Sequence, residues 1–218
     1  MRAKFLLLAI IALAPLNSHA ITTQVIGGQT SVLFGNGALD ALGLEISSVT
    51  PNIWGDLGPN SVLFGINPRN AIDPALSTTF EYDSDNFSPF SGAIEHSGRI
   101  AFNDGAIVVG DFTIRAADGR PDGTSGFVVE STFGLAAILF DIANPIIEAF
   151  PNSLTIAADI LVSPELAGAL SAEQLAGADA GMALVVAKSL AIPLPAVGWL
   201  FLGGLCAFIP KIRRRVSA

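Results

Sequence analysis

Glu95 and His96 are neighbours in the chain, and His96 is the one histidine beyond residue 20. A carboxylate beside an imidazole suggests proton transfer, but a general base must also reach its substrate. On a strand this pair reads as an ordinary surface or half-buried couple. One histidine in the body excludes a histidine dyad and a His-rich metal site. Pairs of carboxylates, the equipment of a glycosidase, are numerous, yet 19 acidic residues make such pairs inevitable. Gly-x-Ser-x-Gly elbows, phosphate-binding loops and zinc-type ligand pairs do not occur. Two loops carry oxygen ligands of the kind calcium prefers. In Asp83-Ser84-Asp85-Asn86 they alternate, giving Asp83 and Asp85 as ligands. In Asp118-Gly119-Arg120-Pro121-Asp122-Gly123 they are Asp118 and Asp122. Neither loop has the terminal Glu of an EF-hand, and Asp-Gly pairs are turn formers. The sequence favours solvated turns, with calcium as the only cofactor to consider.

Whatever these residues do, a β-rich body must position them. Short runs of Val, Ile, Phe and Thr are punctuated by Gly, Asp, Asn and Pro, the pattern of strands and tight turns. Strands are expected at 31–34, 38–49, 62–66, 77–82, 93–102, 106–114, 126–132, 136–142, 154–162 and 182–187. Asn103-Asp104-Gly105 marks a hairpin, because glycine accepts positive φ without steric cost. Thr30-Ser31-Val32-Leu33-Phe34-Gly35 recurs as Asn60-Ser61-Val62-Leu63-Phe64-Gly65. A repeat fold needs three or more copies, so the echo reads as two similar strands of one sheet. One helix is expected at 164–175, capped by Ser163 with Glu165 in its first turn. The class is therefore all-β, a β-sandwich or jelly-roll-like domain with one short helix.

The two ends differ from this body. Arg2 and Lys4 precede the apolar run Phe5–Leu13, and Ser18-His19-Ala20 places small residues on either side of His19. That is a secretory signal peptide over 1–20, cleaved after Ala20. At the other end, residues 192–209 are 18 positions without a formal charge, near the lower limit for crossing a bilayer. Pro193 and Pro195 prevent a regular helix at its start. The run from Ala196 is free to form a single membrane-spanning helix. Lys211, Arg213, Arg214 and Arg215 then hold the C-terminus in the cytoplasm.

The residues Ile192-Pro193-Leu194-Pro195-Ala196, the glycine-containing apolar run and the arginine cluster resemble the PEP-CTERM family of bacterial sorting tails, in its VPLPA form. Ile192 stands where that form has Val, and both are β-branched. The resemblance covers 192–218 and implies recognition by an exosortase, a polytopic inner-membrane enzyme with a cysteine-peptidase-like site. It further implies cutting near the short motif and a Gram-negative host that makes exopolysaccharide. Stretches 96–114 and 152–170 are also similar to the bodies of exported proteins with such tails, without implying an activity.

Between the signals, residues 21–191 form one domain-sized region. It holds all 19 acidic residues against five cations, Arg69, Arg99, Arg115, Arg120 and Lys188, a net −14. Such a charge argues against nucleic acid as a partner, since its binders carry a basic footprint. The only cysteine, Cys206, lies in the tail, so no disulfide holds the body. The sequence is best read as a structural or adhesive component of the cell surface or polysaccharide matrix, and not as an enzyme. The alternative is a carbohydrate-binding or carbohydrate-active domain, for which Trp54 and Tyr82 are the only non-Phe aromatic platforms. A third reading keeps the protein permanently anchored by its tail.

Overall fold

The computed structural model describes residues 22–53, 55–58 and 61–192. Expected features at Ala20, Trp54, Pro193–Ala196 and Lys211–Arg215 lie outside them. The described chain is mainly β, with strands β1 (Thr22–Phe34), β2 (Ile46–Thr50), β3 (Val62–Ile66), β4 (Glu81–Asp83), β5 (Phe87–Ser91), β6 (Ala93–Ser97), β7 (Arg99–Phe102), β8 (Ile107–Ala116), β9 (Phe127–Gly134), β10 (Ala137–Phe150), β11 (Ser153–Val162) and β12 (Asp179–Ala191). Two short helices, α1 (Asn36–Ala41) and α2 (Pro164–Ala169), complete it with single 3-10 turns. Among the described residues no helix is long and apolar enough to cross a membrane; the expected span from Ala196 lies beyond them.

The all-β class is as expected, but the pairing departs from two separate sheets. Antiparallel neighbours run β1-β3-β6-β8-β9-β10-β11-β12, and β12 returns to β1. Eight strands thus close into one ring, a size whose interior side chains can fill. β11 shows why: its burial alternates strictly, with Leu154, Ile156, Ala158, Ile160 and Val162 inward, as the two-residue period of a strand requires. The seam between β1 and β12 runs from Thr23 opposite Ala191 to Phe34 opposite Gly181, interrupted by a bulge at Val25–Gly27. Gly28 makes the close approach possible. It has φ +134, and a Cβ there would run into Val186 O and Ala187 Cα across the seam.

Two hydrophobic clusters fill the barrel. One, with Phe64, Phe102, Phe112, Leu139 and Phe140, lies beneath the two helices. The other, with Val25, Phe80, Tyr82, Ile94, Phe127 and Leu154, lies toward the end where β1 begins and β12 finishes. We call these ends the helical pole and the terminal pole. The β4–β5 ribbon adds to β1 at the terminal pole, Thr23 pairing with Tyr82 and Tyr82 with Phe90.

Several expectations are corrected. Residues 38–49 were expected as one strand. They begin inside α1, because Ala38, Leu39 and Leu42 bury one face at helical rather than alternating spacing. The expected strand 93–102 is cut into β6 and β7 at Gly98. That residue has φ +147 and faces the Phe64 ring and the Thr50 carbonyl, leaving no room for a Cβ. Of 77–82, only Glu81 and Tyr82 belong to a strand. The helix expected to reach residue 175 stops at Ala169. Ser171 adopts φ 54, and the Ala172 N–H reaches back to Ala167 O at 2.8 Å, a Schellman stop made without glycine. Its beginning is as expected: Ser163 Oγ accepts from Leu166 N at 2.9 Å, with Glu165 in the first turn. The hairpin at Asn103-Asp104-Gly105 joins β7 to β8, with Asn103 and Asp104 at φ 53 and 55. The echoing strands are direct antiparallel neighbours, Val32 facing Val62 and Thr30 facing Phe64.

Candidate functional site

Three places concentrate chemistry. The first is inside the barrel wall. β6 turns His96 inward and Glu95 outward, so they do not act as a couple. His96 is 2 % exposed. Its Nδ1 lies 3.0 Å from the Phe112 carbonyl, which can only accept, so Nδ1 carries the proton. Nε2 then accepts from the Thr30 hydroxyl at 2.7 Å. Burial pulls the pKa of His96 down to about 4, against the smaller opposing effect of the Phe112 hydrogen bond. The ring is a neutral bridge from β6 to β1 and β8. It borders an apolar cavity of about 60 Å³ lined by Phe64, Phe112, Ile114, Leu139 and Ile156 among others. Ligand sites are usually several hundred Å³, so this space is a packing gap.

Glu95, on the outer face, is also buried, and its Oε2 accepts from the Thr113 hydroxyl at 2.6 Å. Desolvation raises its pKa; the Thr113 bond lowers it and the charge of Glu130 raises it further. Both members of the pair are therefore buried, not surface or half-buried as expected.

The second place is the loop containing Asp118 and Asp122. Both aspartates are exposed. Arg120, between them, folds inward and binds two carboxylates bidentately. It meets Asp141 at 2.6 and 2.9 Å and Glu165 at 2.6 and 2.9 Å. These hydrogen bonds, Glu165 first and then Asp141, raise the guanidinium's pKa, and the same contact lowers that of Glu165. The loop's own guanidinium thus fills the space between two acids. It staples the loop to β10 and to the first turn of α2. In the other acidic loop, Asp83 Oδ1 accepts from the Asp85 N–H at 2.7 Å, an Asx turn, and Asp85 is exposed. Among the described residues no three His, Cys, Asp or Glu side chains gather as a metal site.

The third place is the terminal pole. Tyr82, considered above as a sugar platform, is 1 % exposed. Its hydroxyl lies 2.7 Å from Phe150 O, 3.0 Å from Ser153 O and 2.8 Å from Ser189 Oγ. It ties β4 to the β10–β11 turn and to β12. Its ring joins Phe80, Phe87, Phe90 and Phe127, with neighbouring centroids 4.8 to 6.4 Å apart, in an aromatic plug. Burial raises the pKa of Tyr82, partly offset by the Ser189 bond.

Ile192 is the one sorting-motif residue within the described region. Its N–H donates to Thr22 O at 2.8 Å, extending the β1–β12 ladder by one rung. The second residue after the expected cleavage at Ala20, Thr22, and the first residue of the motif therefore lie side by side. Sequence reasoning did not foresee this contact, since nothing local to either end announces the other.

No family model and no curated protein matches this sequence. Among solved structures, the C-terminal domain of HtaA from Corynebacterium glutamicum is similar in shape with a TM-score of 0.46 at 11% identity, the alignment covering 77% of this chain and 99% of that domain.

Proposed function

We propose that residues 21–191 are a structural or adhesive module of the bacterial surface or exopolysaccharide matrix, exported by the signal peptide. Residues 192–218 then act as a PEP-CTERM sorting tail, processed by an inner-membrane exosortase. The observation that carries this reading is the Ile192–Thr22 hydrogen bond. It sets Thr22 and Ile192, the two ends of the described body, side by side at one pole, with the helical pole at the far end of the barrel. A module delivered on a tether needs that polarity. The acidic body supports it as well: a net −14 with only one lysine favours solubility outside the cell.

Intact-mass measurement on material from the host surface tests the proposal. The expected species begins at Ile21 and ends between Pro193 and Ala196. A surface species that still carries Arg213–Arg215 overturns it. Reducing-sugar release from the host's own polysaccharide, abolished by replacing a single carboxylate, would replace it with the carbohydrate-active reading.

A further inference from the structure

We propose that the terminal pole is a bilayer-seating surface, held against phospholipid while the tail still tethers the chain. This rests on the reading of 193–218 as a membrane tether and goes beyond it in naming what the folded body touches.

Large apolar side chains stand exposed around the point where β12 ends. Leu190 is 54 % exposed, Phe150 53 % and Ile26 40 %. The register places them together on the outer wall. Leu190 pairs with Gln24, two residues before Ile26. Phe150 pairs with Ser153, which pairs with Lys188. Ile146 and Val186, 71 % and 39 % exposed, lie further from the rim on the same strands, beyond Glu148 and Lys188. A water-facing rim has no use for phenylalanine and leucine beside a chain exit, and large apolar groups gathered at one edge mark interaction surfaces.

Two further facts select lipid as the occupant. The ladder holds the chain as far as Ile192, and the proline-free run expected to span the bilayer begins at Ala196, so only Pro193, Leu194 and Pro195 intervene. Three residues reach roughly 10 Å at full extension. The rim is thus confined to headgroup depth, and so short a linker gives even a weak contact a high effective concentration. Lys188, the only lysine of the body, lies exposed between Phe150 and Leu190 in the register. An ammonium on an apolar stem suits the phosphate level of a bilayer. Of the acids on this face, Glu148 stands two residues further from the rim than Phe150, and Glu81, opposite Gln24 in the Leu190 row, is paired with Arg69 at 2.9 Å.

The test uses the full chain with Cys206→Ser, which leaves no native thiol. One cysteine is introduced as Ser153→Cys at the terminal pole or Gln174→Cys near the helical pole. Each carries an environment-sensitive dye, and the chain is reconstituted in phosphatidylethanolamine–phosphatidylglycerol vesicles containing a headgroup-level quencher. Quenching is expected at position 153 and not at 174. Adding Phe150→Ser with Leu190→Ser should remove at least two thirds of it while the chain stays vesicle-bound. Both side chains point outward, and an unchanged circular dichroism spectrum checks that the variant folds. Equal quenching at both positions, or quenching unmoved by the double substitution, overturns the proposal. So does quenching that rises with protein density, which reports contact between copies. A chain that floats with the vesicles but is unquenched sinks the seating surface alone; one that does not float removes the tether and overturns both readings.

Discussion

His96 and Arg120 each hold buried polar contacts between distant elements, His96 as a neutral ring and Arg120 as a cation. His96 titrates at about 4 when folded, against 6.5 for a free imidazole. The unfolded chain therefore binds more protons between those values, so stability is full above pH 6.5 and is lost as pH falls toward 4. The loss amounts to about 3 kcal/mol at most. Glu95 runs the other way: its raised pKa favours the protonated folded form and costs stability as pH rises past the ordinary carboxylate range. Urea midpoints at pH 7, 5.5 and 4.5 should fall steeply in the parent and less steeply in His96→Gln; parallel slopes would refute the assignment. Arg120→Ala should lower stability by about 3–5 kcal/mol, because it leaves Asp141 buried without its partner. Adding Asp141→Leu should restore much of that, read by the same denaturation. The acidity of 118–123 was legible, but its effect was not: the carboxylates that Arg120 binds are 21 and 45 residues away, and composition cannot register pairings at such range.

Among the elements, the seam between β1 and β12 is the most exacting. Replacing Gly28 with Val should cost about 2–3 kcal/mol, from a left-handed φ and overpacking against β12. Hydrogen exchange should then speed up along β1 and β12 more than along β8 and β9. Uniform acceleration would show that the seam is no weaker than the rest. Where residue type dictates backbone directly, the sequence was readable: β3 runs Val62–Ile66 as expected, the Asp-Gly hairpin closes β7 onto β8, and Ser163 caps α2. It misled where a local run serves a tertiary need. Ala38–Leu42 is apolar enough for either a strand or a helix, and burial of one face against the core decided it. β5 escaped notice because Phe87-Ser88-Pro89-Phe90-Ser91 has a proline at its centre, which an edge ribbon tolerates.

At the scale of the molecule, an all-β body was evident from composition and turn spacing, whereas ring closure was not. A closed barrel and a two-sheet sandwich share the same alternation of buried and exposed residues. What separates them here is whether the first strand meets the last, a contact spanning the whole domain. That contact also governs how the molecule bears load. With Thr22 and Ile192 side by side at one pole, tension between them opens the Ile192–Thr22 bond first, then the Thr23–Ala191 pair, rung after rung. Unzipping breaks bonds singly, whereas shear would strain the whole ladder together. Single-molecule extension between residues 22 and 192 should therefore open the barrel at lower force than extension between residue 192 and Asp104 in the β7–β8 turn. The seam that closes the fold is thus its mechanical fuse.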